Sequence, residues 1–183
     1  IVFHQASLYA IEHDFMDASY SNLYRGMYAL LTAPAHRQEL ILCQRKPEID
    51  TSISLSGNYL NEQINDIVLQ AKQAKDYFLL VGPPGTGKSF TLGEIINRIT
   101  LEGKKVCVTT QSNASLTSLV SQDTIKPVIE RGGKIFKTVL TAEELKKHSF
   151  LLPAEKGLTI PDGALLCSTY YTLSRLINEV NEP

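Results

Sequence analysis

The fold of this chain is decided by one stretch, Tyr77-Phe78-Leu79-Leu80-Val81-Gly82-Pro83-Pro84-Gly85-Thr86-Gly87-Lys88-Ser89-Phe90-Thr91. A short apolar run leads into the pattern Gly-x-x-x-x-Gly-Lys-Ser, and an amphipathic segment follows it. A buried strand, a glycine-rich loop and a helix in this order are typical of a phosphate-binding P-loop. We therefore predict a strand over residues 78–81 and a helix that begins near Lys88.

The loop has the chemistry that a triphosphate requires. Its glycines allow consecutive backbone N–H groups to turn inward around an anion, and the positive end of the helix dipole points to the same place. We predict that Lys88 reaches the β- and γ-phosphates and that the Ser89 hydroxyl binds Mg²⁺, which makes these two residues the catalytic candidates. The predicted nucleotide-binding residues of the loop are Gly82, Pro83, Pro84, Gly85, Thr86, Gly87, Lys88, Ser89 and Phe90. The alternative is a glycine-rich turn between a core strand and a helix, which we disfavour because strand, loop, Lys-Ser pair and helix are all in register.

Composition places the chain among ordinary globular proteins that bury a core, with 43% hydrophobic and 20% charged residues. A net charge of −1 gives no global electrostatic reason to bind nucleic acid, so any such binding must be local. No apolar run approaches the roughly 18 residues of a membrane span, and we expect no membrane partner. The cysteines Cys43, Cys107 and Cys167 are far apart, so we expect a reducing, cytoplasmic setting without zinc or disulfides. Because the chain begins with Ile1, we interpret it as a piece of a longer polypeptide.

Residues 1–57 are predicted to form a helical lead-in. Apolar and aromatic side chains recur there at helical spacing, the stripe typical of a core-facing helix, at Tyr20, Leu23, Tyr24, Met27, Tyr28 and Leu31.

From residue 58 onwards, apolar strands alternate with amphipathic helices. Further buried strands are predicted at 106–109 and 164–167, and Ser112 or Asn113 is placed to cap the helix that follows the first of them. Residues 123–163, with a turn, a short helix opened by a capping box at 141–144 and a loop, are interpreted as an insertion. The alternation predicts a three-layer α/β domain with a mainly parallel sheet. Ligands of such sheets bind at the carboxyl ends of the strands, where the P-loop, residues 110–113 and residues 168–169 all lie.

Four segments together resemble the first RecA-like domain of superfamily 1 helicases, in the branch of the nonsense-mediated-decay RNA helicase and the Okazaki-fragment nuclease-helicase. They are Leu60-Asn61-Glu62-Gln63, the P-loop over residues 82–91, Thr110-Gln111-Ser112-Asn113 and Cys167-Ser168-Thr169, within a resemblance that covers about residues 38–178. The resemblance implies ATP and Mg²⁺ as ligands, with Gln63 reading the adenine. It also implies that single-stranded DNA or RNA is contacted by Thr110, Ser112, Asn113 and Thr169. A second RecA-like domain of the same polypeptide would be the partner domain.

The chain departs from the family pattern in three places. One residue, Glu62, separates Asn61 from Gln63 where the family usually has two, and Thr117 stands where an acid often follows the Ser-Asn motif. No Asp-Glu dipeptide occurs, although a P-loop ATPase needs a carboxylate for Mg²⁺ and usually an adjacent Glu for the attacking water. We therefore expect the domain to be incomplete, ending before that acidic motif, and this chain alone to hydrolyse ATP poorly or not at all.

An ATP-driven helicase or translocase is the function that these motifs favour. Three other interpretations remain open at this point, because the P-loop pattern alone is shared among them. They are a small-molecule or nucleotide kinase, a ring-forming AAA+ remodeller, and a nucleotide-dependent scaffold with a degenerate site.

Overall fold

A computed structural model describes residues 18–180, apart from residues 56, 58–60 and 156. Leu60, which opens the segment predicted to read adenine, lies outside the described residues, as do residues 1–17 of the predicted lead-in. The chain divides into two compact units, Ile1–Lys46 and Pro47–Pro183. None of the described helices is both long and apolar enough to cross a membrane.

The described part of the first unit is mainly helical. It holds α1 (Ala18–Thr32) and α2 (Ala35–Ile41), which are separated at Pro34, a residue that has no N–H to offer a continuing helix. The predicted inward orientation of the α1 stripe is wrong, because all six of its side chains are between 54% and 73% exposed: Tyr20, Leu23, Tyr24, Met27, Tyr28 and Leu31. Among the described residues of this unit only Leu40 is buried. The spacing shows that one face of α1 is apolar, but two short helices have too little surface to bury it.

The second unit alternates helices with strands. In chain order its elements are α3 (Glu62–Gln73), α4 (Lys88–Leu101), β1 (Val106–Thr110), α5 (Asn113–Val120), a 3₁₀ turn (Asp123–Ile125), α6 (Lys126–Glu130), β2 (Ile135–Lys137), α7 (Ala142–Lys147), β3 (Leu151–Pro153), β4 (Leu165–Thr169) and α8 (Tyr170–Val180). The predicted helix start at Lys88 and the capping box at 141–144 are confirmed, and of the two predicted caps of α5, Ser112 and Asn113, the structure has Ser112.

The four strands form one sheet in the order β1-β4-β2-β3, and all three pairs are parallel. Helices lie on both sides of it, which confirms the predicted α/β, RecA-like class with a parallel sheet. Strands β2 and β3 come from residues 123–163, where the sequence predicted no strand. Each has three residues, too few to show the alternation that identifies a strand.

The strand predicted over residues 78–81 is wrong, since residues 77–83 belong to no helix or strand. Burial still alternates along it: Phe78 and Leu80 are half-buried, whereas Leu79 is 74% and Val81 is 90% exposed. A strand exists only through ladder hydrogen bonds to a neighbour. None of the described residues pairs with this segment, so its apolar pattern gives an extended chain without a place in the sheet.

Helix α4 is held against the rest of the second unit at two points. Gly93 lies so close to the 3₁₀ turn that a Cβ there would be 2.0 Å from Thr124 Oγ1 and 2.8 Å from Thr124 Cβ. Near the other end of α4, the Arg131 guanidinium donates to Asn97 Oδ1 at 2.6 Å and to Thr100 Oγ1 at 2.9 Å. Between them Ile96 enters the core, so the helix that starts at the P-loop is fixed along its length.

We predict that Gly93→Ala destabilises the fold. Alanine normally stabilises a helix interior by about 0.5–1 kcal/mol relative to glycine. Here the added methyl group would displace the side chain of Thr124, and such overpacking typically costs about 1–3 kcal/mol. Urea unfolding of the variant and the wild type would measure the difference. The control is Gly57→Ala, because a Cβ at Gly57 meets nothing within 4 Å. Equal stability of Gly93→Ala and wild type would contradict the close contact.

Candidate functional site

The glycine-rich loop adopts a backbone that glycine alone accepts easily. Gly85 and Gly87 both have φ of +80°, and Gly87 is the residue that precedes the first turn of α4. The loop also closes on itself: Thr86 Oγ1 donates to the Pro83 carbonyl at 2.8 Å, and a Cβ at Gly82 would be 2.7 Å from that same hydroxyl. This backbone places the start of α4, with N–H groups that have no partner within the helix, at the loop.

Lys88 folds back over the loop that precedes it. Its ammonium donates to the carbonyl oxygens of Gly82 and Pro83, each at 2.5 Å. Both acceptors are neutral, whereas a phosphate oxygen carries a negative charge that adds Coulomb attraction to the hydrogen bond from the ammonium. An incoming phosphate would therefore compete well for this ammonium, which supports the predicted role of Lys88.

Ser89 is exposed on the first turn of α4, beside Lys88. Among the described residues, no group of three His, Cys, Asp or Glu side chains is placed to hold a metal ion. A lone hydroxyl fits Mg²⁺ only where phosphate oxygens and water complete the shell, which is how this ion is usually held beside a nucleotide. The residues present thus fit Mg²⁺ as a companion of a bound triphosphate, and its binding by Ser89 stays a prediction.

Gln63 and the P-loop share one cavity of about 260 Å³. Gln63 lies in the first turn of α3, which begins where Asn61 Oδ1 accepts a hydrogen bond from the Ile64 N–H at 2.9 Å. The cavity is lined by Gln63, Ile67, Leu80, Val81, Gly82, Pro83, Thr86, Lys88 and Thr91. The structure therefore brings the glutamine singled out by sequence to the phosphate loop across about twenty residues of chain. The apolar side chains and the Gln63 amide suit a nucleobase, and the loop beside them suits the phosphates attached to it.

The polar residues at the strand ends lie together, but their hydroxyls are already engaged. Thr110 and Thr169 are register partners at the ends of β1 and β4. Thr110 Oγ1 donates to the Ser112 carbonyl at 2.7 Å, and Ser112 Oγ accepts from the Ser115 N–H at 3.3 Å. Thr169 Oγ1 similarly accepts from the Thr172 N–H at 3.2 Å. These hydroxyls fix the starts of α5 and α8, so what this edge offers a ligand is chiefly the helix starts themselves.

Asn113 differs from its neighbours at this edge. The sequence left open which of Ser112 and Asn113 caps α5, and the structure assigns the cap to Ser112. The side-chain oxygen of Asn113 is buried and has no hydrogen-bond partner among the described residues. Its backbone carbonyl oxygen lies 3.0 Å from Thr117 Oγ1. Capping therefore does not account for Asn113.

Sequence analysis missed a buried ion pair next to this edge. Lys137, at the end of β2, is fully buried, and its ammonium lies 2.5 Å from Glu144 Oε1 of α7. Burial by itself would raise the pKa of Glu144, but hydrogen bonds from Lys137, Thr117 and the Thr141 backbone outweigh it and lower that pKa to about 2. In the sequence, Lys137 follows the apolar residues Ile135 and Phe136. Buried lysines are rare and almost always paired, so a lysine among apolar residues indicates an acidic partner.

Part of this chain is similar to known proteins. A family model described as "AAA domain" matches residues 59–144. The DNA polymerase alpha-associated DNA helicase A of Schizosaccharomyces pombe is 31% identical over 98 residues, which are 49% of this chain and 15% of that protein. A DNA replication ATP-dependent helicase/nuclease of Saccharomyces cerevisiae is 33% identical over 61 residues, which are 33% of this chain and 4% of that protein. One of Arabidopsis thaliana is 24% identical over 124 residues, which are 62% of this chain and 9% of that protein. The chain thus spans a small part of the length of these relatives, and the predicted resemblance to superfamily 1 helicases is confirmed.

We predict that Gln63→Ala weakens ATP binding more than GTP binding. An amide donates and accepts at once, as the edge of adenine requires, and the loss of such hydrogen bonds at about 0.5–1.5 kcal/mol each corresponds to roughly 2- to 12-fold in affinity. Competition of ATP and GTP against a fluorescent nucleotide would measure both constants. Gln70→Ala is the matched control, an exposed glutamine of the same helix whose amide bonds to Asp66. An equal loss for both nucleotides, or none, would refute the role in adenine recognition.

Proposed function

We propose that this chain carries the N-terminal part of the first RecA-like domain of a superfamily 1 helicase, and that it supplies the ATP-binding site of an ATP-dependent helicase or translocase acting on single-stranded DNA or RNA. The observation that carries the proposal is the single cavity in which Gln63 meets the loop of Gly82 and Lys88. A phosphate loop alone suits many enzymes, whereas a glutamine at the same cavity suits an adenine nucleotide.

Each residue of the nucleotide site has a separate task in this proposal. The backbone N–H groups at the start of α4 and the Lys88 ammonium bind the β- and γ-phosphates. Ser89 supplies a hydroxyl to Mg²⁺, which neutralises charge on the phosphate oxygens when it is bound. Gln63 reads the adenine edge. The chain has no Asp-Glu pair to orient an attacking water, so we propose that by itself it binds ATP without turning it over efficiently.

The edge formed by the ends of β1 and β4 is the proposed site for the single strand. Helix starts offer N–H groups to phosphate oxygens, and small polar side chains such as those of Thr110, Ser112, Asn113 and Thr169 contact sugar and phosphate. Such contacts carry no base identity, which is what a protein that moves along one strand requires.

We propose that the chain consists of a lead-in and an ATP-binding domain. Residues 58–183 form the ATP-binding domain, and residues 1–57 form a lead-in that is helical over α1 and α2. The stretch predicted as an insertion, about 123–163, instead supplies β2 and β3 of the sheet. A second RecA-like domain of the same polypeptide would close over the nucleotide and convert hydrolysis into movement. We propose a reducing, cytoplasmic setting, in which widely separated cysteines stay unpaired.

Lys88→Ala tests the nucleotide site. We expect ATP affinity to fall by roughly 10- to 100-fold, because a hydrogen bond to a charged group contributes about 1.5–3 kcal/mol. The melting temperature without nucleotide should stay near that of the wild type, since the Lys88 ammonium donates to loop carbonyls and not to the core. Calorimetric titration with ATP would measure the affinity, with the exposed Lys134→Ala as the control for loss of one positive charge. Unchanged ATP affinity in Lys88→Ala would refute the phosphate site.

Asn113→Ala tests the strand site. We expect weaker binding of labelled single-stranded oligonucleotides, by roughly 2- to 12-fold for one lost hydrogen bond, and to the same extent for unrelated sequences. The melting temperature should hardly change, because Ser112 and not Asn113 caps α5. Fluorescence anisotropy and thermal unfolding would measure the two quantities. A fall in stability with strand affinity intact would show that Asn113 serves the fold alone.

A further inference from the structure

We infer that the buried pair of Lys137 and Glu144 positions Asn113 for the single strand, by holding helix α5 through the hydroxyl of Thr117. We call these three side chains the Lys137–Glu144–Thr117 cluster. The inference deepens the proposed function and rests on it. It names positioning residues that lie outside the strand-binding edge.

The cluster joins three elements at one carboxylate oxygen. Glu144 Oε1 of α7 accepts from the Lys137 ammonium of β2 and from the Thr117 hydroxyl of α5, both at 2.5 Å. The Lys137 ammonium also lies 3.3 Å from Thr117 Oγ1. The lysine is fully buried and the glutamate side chain is only 17% exposed, so water competes little for these bonds.

Glu144 is itself held rigidly. Its other oxygen, Oε2, accepts from the Thr141 N–H at 3.0 Å, and its own N–H donates to Thr141 Oγ1 at 3.1 Å. This reciprocal capping box fixes the carboxylate at the start of α7. The acceptor offered to α5 is therefore charged and immobile, because one of its oxygens caps α7 and the other faces α5.

Thr117 connects this anchor to Asn113. The two residues are four apart on α5 and so lie on the same side of the helix, one turn from each other. Thr117 Oγ1 is 3.0 Å from the Asn113 carbonyl and 2.5 Å from Glu144 Oε1, but one hydroxyl hydrogen serves one acceptor at a time. The charged and closer carboxylate is the better acceptor. The hydroxyl therefore ties α5 to α7 one turn after the residue proposed to meet the strand.

Apolar packing alone would not fix Asn113 in this way. The buried face of α5, formed by Leu116, Leu119 and Val120, presses the helix onto the core. Hydrophobic contacts have no directional preference, so they set the depth of α5 better than its position along its own axis. A short hydrogen bond to a fixed charge is directional and sets both rotation and axial position. A buried ion pair is also seldom the most stable filling of such a space, which favours a role in position over a role in stability.

Thr117→Val tests the inference most directly, because it removes the hydroxyl and keeps the shape and the ion pair. We expect single-strand affinity to fall roughly 3- to 10-fold, as for one lost hydrogen bond, with ATP affinity unchanged. Thr117→Ser keeps the hydroxyl and should bind the strand as the wild type does. Ser118→Ala is the matched control, an exposed hydroxyl of the same helix that is outside the cluster. Fluorescence anisotropy with labelled oligothymidine and calorimetry with ATP, both on the whole chain, supply the readouts.

A second variant tests the cluster without an expected loss of stability. Lys137→Met combined with Glu144→Gln removes both charges, keeps similar volume and leaves a glutamine that still completes the capping box. We expect it to melt near the wild-type temperature, because a buried ion pair is often replaced by uncharged residues without loss. Its strand affinity should lie between those of the wild type and Thr117→Val, because a neutral acceptor binds the hydroxyl less strongly.

The outcomes separate this inference from the function on which it rests. If Asn113→Ala weakens strand binding but Thr117→Val does not, the inference is overturned and the strand site stands. If Thr117→Val lowers the melting temperature while strand affinity is kept, the cluster serves the fold only. If Asn113→Ala itself leaves strand binding intact, the proposed contact and the positioning role fall together.

Discussion

The glycine backbone at residues 85 and 87 is the constraint on which the rest of the nucleotide site depends. Both residues have φ of +80°, a conformation that costs an L-residue roughly 1–2 kcal/mol. That turn decides where α4 starts and therefore where its unpaired N–H groups point. The helix is in turn fixed at Gly93 against Thr124 and at its far end by Arg131, so the loop is the free end of a rigidly held element.

Polar side chains hold the helices of the second unit in position, and the apolar core supplies the bulk of the burial. Ile96, Leu116, Ile125, Ile135 and Leu165 belong to one buried cluster that draws α4, α5 and the sheet together. The directional ties are different in kind: a guanidinium at the end of α4 and a buried ammonium between β2, α5 and α7. Because the Lys137 ammonium is shielded from water, removing its partner would leave a buried polar group unsatisfied. The proposed nucleotide site lies at the start of α4 and the proposed strand site at the start of α5, and each of these helices has such a tie.

Two predictions made from apolar patterns are wrong, because an apolar pattern does not show which surface, if any, covers it. The α1 stripe was correctly recognised as one face of a helix, yet its side chains are exposed in the described structure. The run at residues 78–81 has the right composition for a strand, but none of the described residues pairs with it. In both cases the periodicity reports which side chains share a face, and burial depends on a partner surface that the periodicity does not contain.

The sequence by itself determined the local features: the P-loop and its glycines, the start of α4 at Lys88, the capping box at Thr141 and the α/β class. These depend on residues within a few positions of each other, where backbone preference and side-chain chemistry act directly. Only the tertiary structure decided that Gln63 shares a cavity with the P-loop, that Ser112 rather than Asn113 caps α5, and that Glu144 meets both Lys137 and Thr117. It also placed two three-residue strands within a stretch that showed no strand pattern. Such contacts join residues that are far apart in the chain, and their geometry follows from how whole helices and strands pack.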